Sequence, residues 1–131
     1  RASLEGLGAS LAAERRNDED IKNLEELEVE FEEAVRTQNI DMLLKKDIEF
    51  HECIFKAANN KKLEKMINTL WEQVQRFRIT YVSDSNASLS LIDEHQSILN
   101  AIKEGNIADS KKFAIKHIEK AEQFMLEHCT K

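Results

Sequence analysis

A chain of 131 residues with no proline and only three glycines has few ways to fold other than into helices. Proline and glycine are the residues that stop helices and shape turns. Almost nothing here interrupts the pattern, and the apolar residues recur at a spacing of about 3.6 rather than 2. The clearest stretch is Ile40 to Ala58, IDMLLKKDIEFHECIFKAA. On a helical wheel Ile40, Leu43, Leu44, Ile54, Phe55 and Ala58 share one face. Asp47 and His51 fall in the middle of that face, four residues apart, so they stack one turn above each other and point the same way. A carboxylate and an imidazole on a core-facing stripe must be paired, hydrogen-bonded or bound to something.

The same spacing predicts five further helices. The first runs from Arg1 to Arg16, with Leu4, Leu7, Ala9, Leu11 and Ala12 as its apolar content. Gly6 and Gly8 weaken its intrinsic preference but permit close helix packing. After a break at Asn17 and Asp18, a second helix spans about Glu19 to Arg36. Its acidic run reads as a solvated face. Asn39 is placed to cap the third helix and Asn60 the fourth, whose stripe is Leu63, Met66, Ile67, Leu70, Val74, Phe77 and Tyr81. Ser83 to Ser88 reads as a loop. A fifth helix follows over about Leu89 to Glu104, with Gly105 as its stop. Asn106 caps a sixth that runs to about Glu127. The expected fold class is all-α, an antiparallel bundle of six helices, or seven with one more break, forming one domain over residues 1–131.

A net charge of −6 argues against this stretch gripping a phosphate backbone by itself. No apolar run is long enough for a membrane span or a signal peptide. Cys53 and Cys129 form neither a CxxC nor a zinc-ribbon spacing, so a reduced, cytoplasmic setting is the default.

His95 falls between Leu91/Ile92 and Ile98/Leu99, and His117 between Phe113/Ala114 and Ala121. Three helices therefore aim Asp47, His51, His95 and His117 inward. Imidazole and carboxylate together suit zinc first, with nickel, cobalt, manganese or iron as alternatives. The plainer reading is an Asp47–His51 ion pair with two unrelated buried histidines. His128 lies eleven residues beyond His117, about 16 Å along a helix, too far to share one ion. Arg78 sits on the flank of the fourth stripe. It is either a snorkelling side chain or a buried guanidinium awaiting a carboxylate. Trp71, Tyr81 and Cys53 read as packed core residues.

Five segments, in order, resemble the FCD effector domain of FadR-type regulators in the GntR superfamily. They are Arg1-Ala2-Ser3-Leu4-Glu5 with Leu11-Ala12-Ala13, Asp47-x3-His51, and Ala57-Ala58-Asn59-Asn60-Lys61-Lys62-Leu63. Glu94-His95-x2-Ile98-Leu99-x-Ala101-Ile102-x2-Gly105 and then His117 complete the series. The resemblance implies a metal held by Asp47, His51, His95 and His117 in a central cavity. It also implies a small organic-acid effector completing the coordination and gripped by arginines. Arg1 occupies a position implied to contact that effector, and Arg78 is the second candidate from the stripe. A homodimer is implied too. The family's winged helix-turn-helix is not within these residues, so operator DNA is an expected partner only through such an N-terminal domain.

The expected function is the ligand-sensing domain of a bacterial transcription regulator rather than an enzyme, with no membrane partner. Two alternatives stand beside it. One is a metal-dependent helical hydrolase, in which the metal activates water, although no HExxH glutamate is present. The other is a metal-stabilised interaction module without effector.

Overall fold

The computed structural model describes residues 1–128, so Cys129 lies outside the described residues. Within them the chain forms six helices and no strand: α1 (Ala2–Arg15), α2 (Asp18–Arg36), α3 (Ile40–Ala58), α4 (Lys61–Ser83), α5 (Ser85–Lys103) and α6 (Ile107–His128).

Short polar side chains start every helix after the first. Asn17 and Asp20 form a reciprocal capping box at α2. Asn39, Asn60, Asp84 and Asn106 each accept a backbone N–H from three residues ahead. Asn59 and Gly105 end α3 and α5 with positive φ, 50° and 71°. The segment Ser83 to Ser88, expected as a loop, is not one: Asp84 alone separates α4 from α5. The Ser83 and Ser88 hydroxyls donate to Ile79 O and Ser85 O, so they satisfy themselves within the helices instead of unwinding them.

The largest departure from the sequence pattern is in α1. Of the leucines in its apolar content, Leu4 and Leu11 pack against the Phe55 group, yet Leu7 is 43% exposed. The buried residues are Glu5, Gly6, Gly8, Ala9, Ser10, Ala12 and Ala13. The reason is position. This helix packs against α3, α4, α5 and α6, and its backbone does not closely approach that of its sequence neighbour α2. A helix hemmed in on most sides must be thin, and small side chains let neighbouring backbones approach closely. A Cβ on Gly6 would lie 2.6 Å from Ile115, and one on Gly8 would lie 2.6 Å from the Phe55 ring. Two other stripe residues, Ile40 and Met66, are also exposed.

The C-terminal end of α1 fixes the direction of its neighbours. Arg15 donates to Ala58 O and Asn59 O at the end of α3, at 3.0 and 3.2 Å. Arg16 donates to Ile102 O and Lys103 O at the end of α5, both at 2.9 Å. Those carbonyls lie at helix ends, where Ile102 O also accepts the Gly105 N–H at 3.0 Å, and cationic donors suit a helix C-terminus. The ends of α1, α3 and α5 therefore coincide. The tightly linked, mutually packed pairs α2/α3 and α5/α6 run in opposite directions. The apolar core has three buried groups, centred on Phe50 with Leu24 and Ile102, on Phe31 with Leu43 and Leu91, and on Phe55 with Ile67 and Trp71.

Replacing Gly8 with alanine tests how tightly α1 is held. Helix preference favours alanine by about 1 kcal/mol. Overpacking against the buried Phe55 ring costs about 1–3 kcal/mol. The expected result is a net loss of stability in urea unfolding for Gly8→Ala. A smaller loss or a small gain is expected for Gly6→Ala, where the half-buried Ile115 side chain can turn aside.

Candidate metal and anion site

Asp47, His51, His95 and His117 are all buried, with His95 fully enclosed. They come from α3, α5 and α6, and one ring nitrogen from each imidazole lies within 4.8 Å of the others. The Nε2 atoms of His51 and His117 are 3.3 Å apart. Asp47 Oδ1 lies 3.1 Å from His95 Nε2 and 3.6 Å from His51 Nε2. Those directions are poor for hydrogen bonds, and both Asp47 Oδ1 and His95 Nε2 are buried without a hydrogen-bond partner. Phe50 stacks on His95 at 4.3 Å between ring centroids, and Phe31 closes its other flank at 4.7 Å. The ring has no room to turn away.

The opposite nitrogens are each held by a glutamate. His51 Nδ1 lies 2.9 Å from Glu5 Oε1, His95 Nδ1 3.0 Å from Glu28 Oε2, and His117 Nδ1 2.8 Å from Glu94 Oε1. A carboxylate at Nδ1 fixes the proton there and leaves Nε2 with its lone pair. Three imidazole lone pairs then face one small volume, and Asp47 Oδ1 lies beside those of His51 and His95. Such a set repels itself unless a cation or protons enter. The donor types, three imidazoles and a carboxylate, fit a divalent transition metal. If one is bound, the three imidazole Nε2 atoms and Asp47 would hold it.

The electrostatics follow from this crowding. Burial alone would raise the Asp47 carboxyl, but His51, His95 and Arg78 hold it well below its usual range. Burial opposes charge on Glu5 as well, yet His51 and Arg1 bring it down to about 2. Burial disfavours protonated His95, but Asp47 and Glu28 on either side push it up to about 9. Burial lowers His117, with the neighbouring imidazoles adding to the effect. Without a cation, a proton on His95 serves both adjoining carboxylates.

Both candidate arginines border the same cavity. It holds about 20 Å³ and is lined by Arg1, Asp47, His51, Arg78, Tyr81 and His117, with Phe77 and Met125 beside them. That is room for one water molecule or ion. Arg78 is 5% exposed, so the snorkelling alternative does not hold. Its Nε lies 3.4 Å from Asp47 Oδ2, its guanidinium sits 5.6 Å from the Trp71 ring centroid, and both Nε and Nη2 lack a hydrogen-bond partner. Arg1 Nε is bound to Glu5 Oε2 at 2.6 Å. Tyr81 is core and cavity wall at once. Cys53 packs in the Phe50 group, away from the site, and burial pushes its thiol up to about 11. His128 caps Phe124 O and takes no part.

Sequence reasoning named the four inward residues and both arginines but not Glu28. In the acidic run of α2 its neighbours Glu25, Glu26, Glu30, Glu32 and Glu33 are exposed as expected, while Glu28 is 3% exposed. The available signal was phase. Glu28 is four after Leu24 and three before Phe31, so it shares their buried stripe. Glu5 and Glu94 lay in plain view within the family-like segments, with no hint of which imidazole each would meet.

These features define an all-α domain with an enclosed cluster of three histidines able to coordinate a metal ion. Residues 1–120 match the model of the FCD domain family. The chain belongs to the FCD family, the effector-sensing domains of GntR-type transcription regulators, which are typically regulatory rather than catalytic. In fold it is similar to E. coli McbR/YncC, with a TM-score of 0.88 at 18% identity over 97% of this chain. It spans 64% of the length of that protein. No curated protein matches it in sequence. Among the described residues no helix is long and apolar enough to cross a membrane.

In chelator-treated protein, Asp47→Ala is expected to cost about 3–5 kcal/mol. It leaves the buried Arg78 guanidinium without the carboxylate that lies 3.4 Å from its Nε. Denaturant unfolding checks this, and a change under 1 kcal/mol would mean that Asp47 and Arg78 are not energetically paired.

Proposed function

We propose that this chain is the sensing domain of a bacterial GntR-type transcription regulator, holding a divalent metal, zinc first, on Asp47, His51, His95 and His117, which helps bind a small carboxylate or hydroxy acid. The observation that carries the reading is the convergence of one ring nitrogen from each of three buried imidazoles, each ring fixed from behind by a glutamate. Structural polar networks need no such common focus. Four protein donors leave open positions on an ion that accepts five or six, and a carboxylate oxygen can fill them.

The side chains beside the ion support an anion. Arg78 offers two unpaired buried N–H groups and Arg1 lies across the same cavity. A guanidinium holds a carboxylate with two parallel hydrogen bonds. The cavity of about 20 Å³ is smaller than such an acid. Entry therefore has to displace the half-buried side chains at its edge, Arg1 at the N-cap of α1, Phe77 on α4 and Met125 on α6. Ligand binding and helix repacking are then one event, which is what a switch between two packings requires. In the intact regulator, a dimer with a winged helix-turn-helix domain on the N-terminal side would read operator DNA and respond to that repacking.

Elemental analysis of the purified chain is expected to give about one equivalent of divalent transition metal, lost in His95→Ala. Less than about a tenth of an equivalent after supplementation with zinc, nickel and manganese would reject the metal reading. Trp71 is the chain's only tryptophan and lies against Arg78, so its emission reports on the anion site. Titrating the metal-loaded protein with a panel of small hydroxy and dicarboxylic acids is expected to change that emission saturably. In Arg78→Ala a weakening of about 10-fold or more is expected, from loss of a bidentate charged contact worth about 1.5–3 kcal/mol.

A further inference from the structure

The three glutamates behind the imidazoles are not equivalent. Glu28 and Glu94 each hold a ring from within the bundle, on α2 and α5. Glu5 stands on α1, the first helix, and it uses both oxygens. Oε1 lies 2.9 Å from His51 Nδ1, and Oε2 lies 2.6 Å from Arg1 Nε. Arg1 is the N-cap residue of α1 and has no side-chain cap hydrogen bond, while its carbonyl accepts the Glu5 N–H at 2.9 Å. Arg1 thus closes a loop through backbone and side chain on the residue that faces His51.

The placement depends on the glycines. Gly6 and Gly8 seat α1 against Ile115 and the Phe55 ring so closely that a Cβ would collide. This depth carries the short Glu5 side chain to the imidazole and leaves it 3% exposed. Being packed so tightly, α1 cannot slide; what it can do is order or loosen its first turn.

We infer that Glu5 is a positioning residue that ties His51 to Arg1, so that occupancy of the metal site sets the order and direction of the first turn of α1. This rests on the metal reading above. With a cation held at Nε2, the His51 Nδ1–H would be a stronger donor and its bond to Glu5 tighter. The carboxylate, held at a fixed position, then holds the Arg1 guanidinium and with it the N-cap. An anionic ligand in the cavity competes with Glu5 for Arg1, so the same link lets ligand arrival release or redirect the helix start. The route has two side-chain contacts.

The test is hydrogen exchange followed residue by residue over residues 1–10 and over α3, with zinc titrated into the apo chain, in the parent, Glu5→Gln and Arg1→Gln. In the parent, zinc is expected to slow exchange at residues 5–8 at least 5-fold, alongside protection around His51. In Glu5→Gln, zinc is expected to bind about 10–100-fold more weakly. When saturated, it should protect α3 but not the first turn of α1. Arg1→Gln cuts the outer contact only and is expected to lose first-turn protection as well. If Glu5→Gln does not fold by circular dichroism, Arg1→Gln decides the matter alone. Zinc binding with first-turn protection intact in Arg1→Gln would overturn the link and leave the metal site standing. Zinc failing to bind the parent would overturn both.

Discussion

A carboxylate removed from water governs the rest of this molecule. Asp47 lies between the Arg78 guanidinium and two imidazoles, in a place where a lone charge would cost several kcal/mol. Each partner brought to neutralise it needs a partner of its own. The imidazoles recruit Glu5, Glu28 and Glu94; Glu5 recruits Arg1; Arg78 leans on Trp71. The resulting network takes a residue from every one of the six helices. Apolar packing gives the bundle its bulk. The polar centre decides which helices must meet and at what height, because hydrogen bonds tolerate far less displacement than methyl contacts do.

That centre also explains the unusual first helix. An amphipathic helix at the edge of a bundle needs one broad apolar stripe. A helix set among four others, with a buried glutamate to deliver, needs a narrow body instead. Gly6, Gly8, Ala9, Ala12 and Ala13 supply it, while Leu7 turns outward and Leu4 and Leu11 pack against the Phe55 group. The arginines at its far end close off the last turns of α3 and α5, so α1 locks the bundle at one end and reaches the functional centre at the other. A site built this way is well suited to sensing: a ligand that fills the cavity cannot avoid moving residues that belong to several helices at once.

The helices, their caps and the inward phase of Asp47, His51, His95 and His117 were legible in the chain itself. Those properties are local: an Asn before an apolar run, or an imidazole four residues from a carboxylate, needs no knowledge of the neighbours. The loop expected at Ser83 to Ser88 was misread for a local reason as well, since serine hydroxyls can turn back onto the preceding helical turn. Glu28 was hidden among exposed glutamates. Its phase gave it away only to a reader willing to bury a charge, and nothing in α2 announced an imidazole 67 residues on.

Sequence by itself therefore determined an all-α chain, where its helices begin and end except at the α4–α5 junction, and the inward phase of Asp47 and three histidines. Tertiary structure alone decided that α1 is central, that three carboxylates from three different helices stand behind three imidazoles, and that Arg78 faces Asp47 rather than water. Periodicity fixes the angle at which a side chain leaves its own helix. It carries no information about the distance to another helix, which is set by how small the residues between them are and by which buried charges must find one another.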